Sequence, residues 1–193
     1  MEIEIEFKNH LTKQQYEHLL RAFHVQPSQI KRQTNHYFDT VDGQIKQLKA
    51  ALRIRETAEY MECTLKEAKT ENRSNETTDS LTKQQSEEIQ TANRFPSGAV
   101  LNRLIALEID PATLSLFGTL TTDRVELPYK GGTLVFDHSF YLQQDDYEVE
   151  YETADELQGL PIFEAFLEEH QIDKRVTDKK IARFMKALQQ KGL

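Results

Sequence analysis

The N-terminal stretch EIEIEFK, residues 2–8, alternates charged and apolar side chains without a break. The charged members are Glu2, Glu4, Glu6 and Lys8, and the apolar members are Ile3, Ile5 and Phe7. Successive side chains of a β-strand point to opposite faces, so this period of two predicts a strand with one apolar and one charged face. A half-buried strand with its acids in water is the simplest interpretation of the stretch alone. Whether other strands repeat the pattern decides between that and a charged interior.

Length and composition restrict the class of protein. The 193 residues suffice for one domain with a continuous core, which we expect over residues 1–193. A formal charge of −8 argues against binding nucleic acid or an anionic membrane by overall attraction. Cys63 is the only cysteine, so no internal disulfide is possible. With a charged N-terminus and no apolar run of membrane-spanning length, the sequence predicts a soluble cytoplasmic protein.

Several further stretches have strand patterns bounded by turn residues. They are residues 30–40, two strands within 51–68 that connect near Ala58, and residues 114–129, 133–143 and 146–153. Asp42-Gly43 predicts a turn after the first of these, and Lys130-Gly131-Gly132 predicts a hairpin between two others.

Helical spacing of apolar residues predicts a helix over residues 12–23, with Thr12 as its N-cap and Gln15 completing a capping box. Further helices are predicted over residues 97–107, 154–170 and 176–193, the last beginning near Thr177 or Asp178. Residues 69–90 are polar and nearly free of large apolar side chains, which predicts an exposed loop leading into a helix.

The charged faces of the predicted strands carry both acids and bases. Residues that share a face are Glu4, Glu6 and Lys8; Arg53 and Arg55; Glu62 and Lys66; Arg124 and Glu126; and Glu148, Glu150 and Glu152. The opposite faces are apolar and suit cover by the amphipathic helices. The sequence therefore predicts an α+β fold, mainly antiparallel β, in which about eight strands close into a barrel around a charged interior, with helices packed outside.

Acids and bases in one interior are costly without compensation, so a ligand is expected. Carboxylates are oxygen ligands suited to Mg²⁺ or Mn²⁺, and arginine and lysine suit phosphate oxygens. Together they indicate a metal complex of a polyphosphate as the small-molecule partner.

The motif Glu-x-Glu-x-Lys, here Glu4, Glu6 and Lys8, is followed in order by HYFDT, ALRIR, TLK, YEVEYE and KKIAR. In this order and over nearly the whole chain the sequence resembles the CYTH superfamily, the triphosphate tunnel metalloenzymes. The residues of the stretches EIEIEFK, NHYFDT and ALRIRE are particularly similar to those of the Bacillus-type YjbK branch. The resemblance implies an eight-stranded antiparallel tunnel that binds a triphosphate with a divalent metal. Known members are inorganic, thiamine and RNA triphosphatases and class IV adenylyl cyclases.

The resemblance also implies roles for individual residues. The metal ligands would be Glu4, Glu6, Asp137, Glu148 and Glu150, with Glu152 on the same face as the last two. The phosphate-binding residues would be Lys8, Arg53, Arg55, Lys66, Arg124 and Lys180. Of these residues Lys66, Arg55 and Glu4 would be catalytic. Lys180 is chosen over Lys179 because Arg183 then lies one helical turn away on the same side.

The predicted activity is metal-dependent hydrolysis of the terminal phosphoryl group of a triphosphate, either inorganic or organic. The alternatives are an adenylyl cyclase, a non-catalytic module that binds a polyphosphate or nucleotide, and a structural domain with solvated charge. Tyr37 and Asp39 share a face with Asn35 and are candidates to reach the same interior, whereas Cys63 lies on an apolar face and is expected to be a core residue.

Overall fold

The computed structural model describes residues 1–175, 178 and 180–190, and within them lie eight strands and six α-helices. The strands are β1 Glu2–Leu11, β2 Lys31–Thr40, β3 Ala50–Glu56, β4 Met61–Ala68, β5 Arg73–Leu81, β6 Leu114–Tyr129, β7 Gly132–Tyr141 and β8 Gln144–Thr153. The helices are α1 Lys13–Ala22, α2 Gln44–Gln47, α3 Lys83–Ala92, α4 Ala99–Ala106, α5 Glu156–Glu169 and α6 Lys180–Gln190. The strands form a closed antiparallel barrel in the order β1-β5-β4-β3-β2-β6-β7-β8, which confirms the predicted fold class.

The chain divides into two compact units. The first comprises Met1–Ile3 with Gln33–Thr119, and the second comprises Glu4–Arg32 with Leu120–Leu193. The expectation of a single domain over residues 1–193 stays a prediction.

The core of the first unit lies on the apolar face of β3 and β4. Leu52, Ile54 and Leu65 are almost fully buried there, and Ile89 of α3 and Leu104 of α4 belong to the same core. The two helices thus cover the face that the alternating pattern marked as apolar.

Cys63 is part of this core and is 2% exposed. Burial raises the pKa of its thiol to about 12, with smaller contributions from Asp79 and Glu62. A thiol that stays protonated is a poor nucleophile. Its burial in this core confirms the prediction that Cys63 is a core residue.

The prediction of a loop over residues 69–90 is wrong for its central part, which forms strand β5 before α3 begins. The strand pairs with β4, where Glu76 lies opposite Lys66 and Thr78 opposite Thr64. Its other face is polar too, since Asp79 accepts hydrogen bonds from the backbone N–H groups at the start of α4. With both faces polar, β5 lacks the alternation by which strands are recognised.

The pentapeptide LTKQQ occurs twice, at residues 11–15 and 81–85, each time at the end of a strand. In both copies the threonine hydroxyl accepts a hydrogen bond from the backbone N–H of the second glutamine, and the Oε1 of that glutamine accepts one from the threonine backbone N–H. These capping boxes begin α1 and α3, as predicted for the first of them at Thr12 and Gln15.

The core of the second unit lies between helices α1 and α5 and the apolar face of β1, β7 and β8. Phe7, Phe136 and Tyr151 come from the strands, and Leu19 and Phe166 come from the helices. The prediction of a helix over residues 154–170 is confirmed as α5. The final helix, α6, begins at Lys180, two residues beyond the predicted Asp178; the other predicted start, Thr177, lies outside the described residues.

Candidate active site

Three carboxylates lie together on the charged face of β7 and β8. Asp137 is opposite Glu148 in the strand register, and Glu150 follows on the same face. One oxygen from each lies within 4.8 Å of the others, and we call this group the carboxylate cluster. Asp137 and Glu148 are fully buried and Glu150 is 4% exposed. The structure therefore brings three of the predicted metal ligands together.

Arg124 of β6 binds two members of the cluster. Its Nε donates to Asp137 Oδ1 at 2.8 Å and its Nη2 to Asp137 Oδ2 at 2.6 Å. The same Nη2 donates to Glu150 Oε2 at 3.0 Å. A two-pronged contact of this kind fixes both the distance and the orientation of the guanidinium.

Lys180, at the start of α6, contacts all three carboxylates. Its Nζ donates to Asp137 Oδ2 and lies 3.2 Å from Glu148 Oε1 and 3.9 Å from Glu150 Oε1. Burial works against the charged form, but the carboxylates outweigh it, so the pKa of Lys180 is raised. Lys179, the alternative left open by the sequence, lies outside the described residues.

Lys8 of β1 approaches the cluster from a third strand. Its Nζ lies 2.8 Å from Glu6 Oε1 and 3.8 Å from Glu150 Oε1. Burial opposes its charge, yet Glu6 and Glu150 more than compensate and the pKa of Lys8 is raised. Lys8, Arg124 and Lys180, all predicted to bind phosphate, thus stay cationic beside the carboxylate cluster.

Arg183 is a fourth cation at this site. It was not among the predicted site residues. Its Nη2 lies 2.7 Å from Glu148 Oε2, and its Nε donates to Asp146 Oδ2 at 3.1 Å. The signal that could have found it is its spacing of three from Lys180 on an amphipathic helix.

The members of the cluster differ in their ionisation. Burial favours the neutral form of Asp137 and Glu150, but Arg124 and Lys180 outweigh it and lower the pKa of both, that of Glu150 strongly. In Glu148 burial dominates, Lys180 offsets part of it, and the charge of Glu150 adds to it, so that the pKa of Glu148 rises to about 7. Two members are therefore firmly ionised and the third titrates near neutrality.

Glu148 has a further peculiarity. Although Lys180 and Arg183 lie close, neither of its buried carboxylate oxygens has a well-aligned hydrogen bond from any part of the chain that the structure describes. Buried carboxylate oxygens normally have such partners, and oxygen ligands of this type suit Mg²⁺ or Mn²⁺. The residues present therefore fit a divalent cation.

The predicted ligands on β1 are placed differently. Glu6 is opposite Glu152 in the strand register and binds Lys8, and Glu4 precedes it on the same face. Glu4 and Glu6 do not join the carboxylate cluster but act electrostatically on Glu152. Burial raises the pKa of Glu152 to about 7, with Arg124 opposing the shift and the neighbouring acids adding to it.

The remaining predicted basic residues lie in the first unit. Arg55 Nε donates to Asn35 Oδ1 at 3.2 Å, and its Nη1 lies 3.6 Å from Glu62 Oε1. Lys66 Nζ lies 3.4 Å from Glu76 Oε1 on β5. Arg53 shares the charged face of β3 with Arg55, two residues away. Glu76 was missed because the strand that carries it was missed.

Two other candidates in the first unit have local roles. The carboxylate of Asp39 accepts hydrogen bonds from the backbone N–H groups of Thr40, Ile45 and Lys46, so it caps the short helix α2. Tyr37 is 5% exposed, and its ring stacks on Phe117 with 6.2 Å between centroids.

A family model for the CYTH domain matches residues 2–185, so the chain belongs to the CYTH domain family, as its resemblance implied. A Bacillus subtilis (strain 168) protein named "Putative triphosphatase YjbK" is 40% identical over 185 residues, which are 95% of this chain and 94% of that protein.

Solved structures have the same fold. A protein described as a putative adenylate cyclase from Bacillus halodurans superposes with a TM-score of 0.90 at 38% identity, covering 95% of this chain and 97% of that one. HpAC1 from Hippeastrum, described as a putative adenylyl cyclase with a dominant triphosphatase activity, has a TM-score of 0.83 at 22% identity, covering 97% and 96%. The second likeness is one of fold alone.

In the described part of the chain, none of the helices has both the length and the apolar character needed to cross a membrane.

Proposed function

We propose that the protein hydrolyses the terminal phosphoryl group of a triphosphate with the help of Mg²⁺ or Mn²⁺. The observation that carries the proposal is the carboxylate cluster, Asp137, Glu148 and Glu150, with Lys8, Arg124 and Lys180 held against it. Membership of the CYTH family and 40% identity to a protein named as a putative triphosphatase support it.

The cluster would hold the metal, with Glu4 and Glu6 as further ligands, as predicted from the family motif. A divalent cation there would neutralise charge on the phosphoryl oxygens and orient the attacking water. Glu148 supplies two buried oxygens without well-aligned hydrogen bonds from the described residues. Asp137 and Glu150, ionised at neutral pH, supply the negative charge.

The cations would bind the substrate. Arg124 offers a guanidinium whose orientation is already fixed, and Lys8 and Lys180 offer ammonium groups with raised pKa values. In the first unit, Arg53, Arg55 and Lys66 are proposed to bind phosphate oxygens, with Arg55 and Lys66 stabilising charge that develops on the transferred group. Glu4 of β1 is proposed to be catalytic as a metal ligand.

Cyclisation of a nucleoside triphosphate is the second candidate, favoured by the 38% identical Bacillus halodurans protein described as a putative adenylate cyclase. The same grip on metal and phosphate would serve either reaction. Hydrolysis of ATP at its terminal phosphate releases phosphate, whereas cyclisation releases pyrophosphate and cyclic AMP, so product analysis separates them.

We place the protein in the cytoplasm, with a small-molecule triphosphate as its partner and no role for nucleic acid. The net charge of −8 supports the last point.

The test is phosphate release from inorganic triphosphate, with and without Mg²⁺ or Mn²⁺, by the wild type, Glu148→Gln and Arg55→Ala. Each variant should lose on the order of 10²-fold to 10³-fold in turnover. Glu164→Gln is the matched control, because Glu164 is exposed on α5 and pairs with Lys174. Near wild-type turnover in Glu148→Gln at saturating metal would refute the metal site, and release that needs no metal would refute the mechanism.

A further inference from the structure

Asn9 interrupts the apolar face of β1. Phe7 and Leu11, its neighbours on that face, belong to the core of the second unit, yet Asn9 between them is polar and 1% exposed. A buried amide is costly unless its donor and acceptor groups are satisfied. Its hydrogen bonds therefore show what the residue is for.

Both ends of the Asn9 amide bind the backbone of the connection between α5 and α6. Nδ2 donates to the carbonyl oxygen of Asp173 at 3.1 Å, and Oδ1 accepts from the N–H of Arg175 at 2.6 Å. Nδ2 also donates to the carbonyl oxygen of His10 within β1, at 3.1 Å. One side chain thus ties β1 to two positions of a distant segment.

In sequence, four residues separate Arg175 from Lys180, the first residue of α6. Ile172 is buried in the core and provides the preceding fixed point, eight residues before Lys180. The bond to Arg175 moves the fixed point to five residues before it. Since an extended chain covers about 3.5 Å per residue, the farthest reach from anchor to Lys180 falls from about 28 Å to about 18 Å.

Basic residues of α6 contact the carboxylate cluster. Arg183 binds Asp146 and Glu148, and the ring of Phe184, which is 1% exposed, packs edge-on against Tyr141 with 5.6 Å between centroids. Lys8, which approaches Glu150, immediately precedes Asn9 on β1. Strand β1 therefore places Lys8 beside the cluster. Through Asn9 it also anchors the segment that precedes α6, the helix that carries Lys180 and Arg183.

We propose that Asn9 is a positioning residue, which fixes the segment 173–175 so that Lys180 and Arg183 are held against the carboxylate cluster. Its catalytic consequence rests on the proposed function, whereas its effect on α6 does not. Leucine at this position would continue the apolar face but release the connection. Aspartate would keep the acceptor for the Arg175 N–H and place a second acceptor against the Asp173 carbonyl oxygen.

The first experiment measures amide hydrogen exchange of the free protein. In Asn9→Leu and Asn9→Asp, exchange in α6 should be about tenfold faster while α5 keeps its protection. Lys174→Ala is the control, since Lys174 belongs to the same connection and its exposed side chain forms an ion pair with Glu164 at the surface. Unchanged exchange in α6, or equal acceleration in α5 and α6, would overturn the proposal.

The second experiment is a double-mutant cycle on triphosphate hydrolysis. Asn9→Leu should lower kcat/KM about tenfold in the wild-type background and less than about twofold in a Lys180→Ala background, because the effect acts through Lys180. An equal loss in both backgrounds would show a general structural role and contradict the proposal. Should the protein hydrolyse no triphosphate, the proposed function fails, and the exchange experiment still decides whether Asn9 positions α6.

Discussion

In each unit an arginine of the barrel or its helices binds a carboxylate with two parallel hydrogen bonds, and the pairs Arg103–Glu67 and Arg124–Asp137 differ in their surroundings. In the first unit, Arg103 of α4 binds Glu67 of β4 with two contacts of 2.8 Å. In the second, Arg124 binds Asp137 at 2.8 and 2.6 Å. The side chain of Arg103 is 34% exposed, whereas that of Arg124 is 13% exposed and its partner is fully buried.

The neighbours of the two pairs differ as well. Glu67 has a lysine, Lys69, 3.5 Å away at the surface, and the pair joins a helix to a strand. Asp137 lies beside Glu148 and Glu150, and Lys180 contacts it as a second cation in addition to Arg124. The two pairs therefore have nearly the same geometry. Arg103–Glu67 joins a helix to a strand, whereas Arg124–Asp137 belongs to a site with several charges, and the second pair is the more deeply buried.

The largest expected effect follows from removing the arginine of each pair. Arg124→Met leaves the carboxylates Asp137 and Glu150 buried beside one fewer cation, so the free energy of unfolding should fall by about 3–5 kcal/mol. Arg103→Met exposes Glu67 to solvent and should cost about 1 kcal/mol. Urea unfolding at neutral pH measures both. Equal losses would mean that the difference in burial does not govern the two pairs.

A smaller effect is expected for the extra cation that only the second pair has. Lys180 is an ammonium group placed among the proposed metal ligands, so Lys180→Ala should tighten Mn²⁺ binding about tenfold in the absence of substrate, which is about 1.4 kcal/mol. Titration calorimetry measures the dissociation constant directly.

Lys186→Ala is the control for this titration, since Lys186 lies on the same helix and pairs with the exposed Asp178. Weaker Mn²⁺ binding in Lys180→Ala would mean that the ammonium group supports the site instead of competing with the metal.

The smallest effect concerns the pH dependence of the partly exposed Arg103–Glu67 pair. The hydrogen bonds from Arg103, which outweigh burial, lower the pKa of Glu67 from its ordinary 4.5. A lowered folded-state pKa stabilises the protein above pH 4.5 and loses that contribution as the pH falls through the folded value. Glu67→Gln should therefore be less stable than the wild type by about 1 kcal/mol at pH 7, with the difference shrinking below pH 4. A difference that persists at pH 3 would show that packing, not charge, stabilises this contact.

Much of the fold was predictable because β1, β3, β4 and β8 carry a period of two with one largely apolar face. β5 was not, since Thr77 and Asp79 make its other face polar as well, and residues 69–90 were therefore predicted as a loop although about eight strands were expected. Glu148 and Glu150 were predicted as metal ligands by their shared face and the family motif, and Asp137 by the family resemblance alone.

Contacts made by distant segments were beyond the sequence. The pairing of Arg183 with Glu148 depends on where α6 docks, which no local pattern encodes. The sequence indicated Asn9 only as a polar residue on an apolar face. Its partners in the connection between α5 and α6 lie more than 160 residues away.

The repeated pentapeptide LTKQQ bears on how the chain folds. Its two threonines, Thr12 and Thr82, adopt the same backbone angles within one degree, at φ −76° and ψ 159° or 160°, although their surroundings differ. The same five residues thus form the same junction in both places, as expected for a capping box, whose hydrogen bonds join residues three apart in sequence. Such junctions form from contacts close in sequence and lose little loop entropy, so both are expected to appear early as nascent helices, before the long-range strand pairs close.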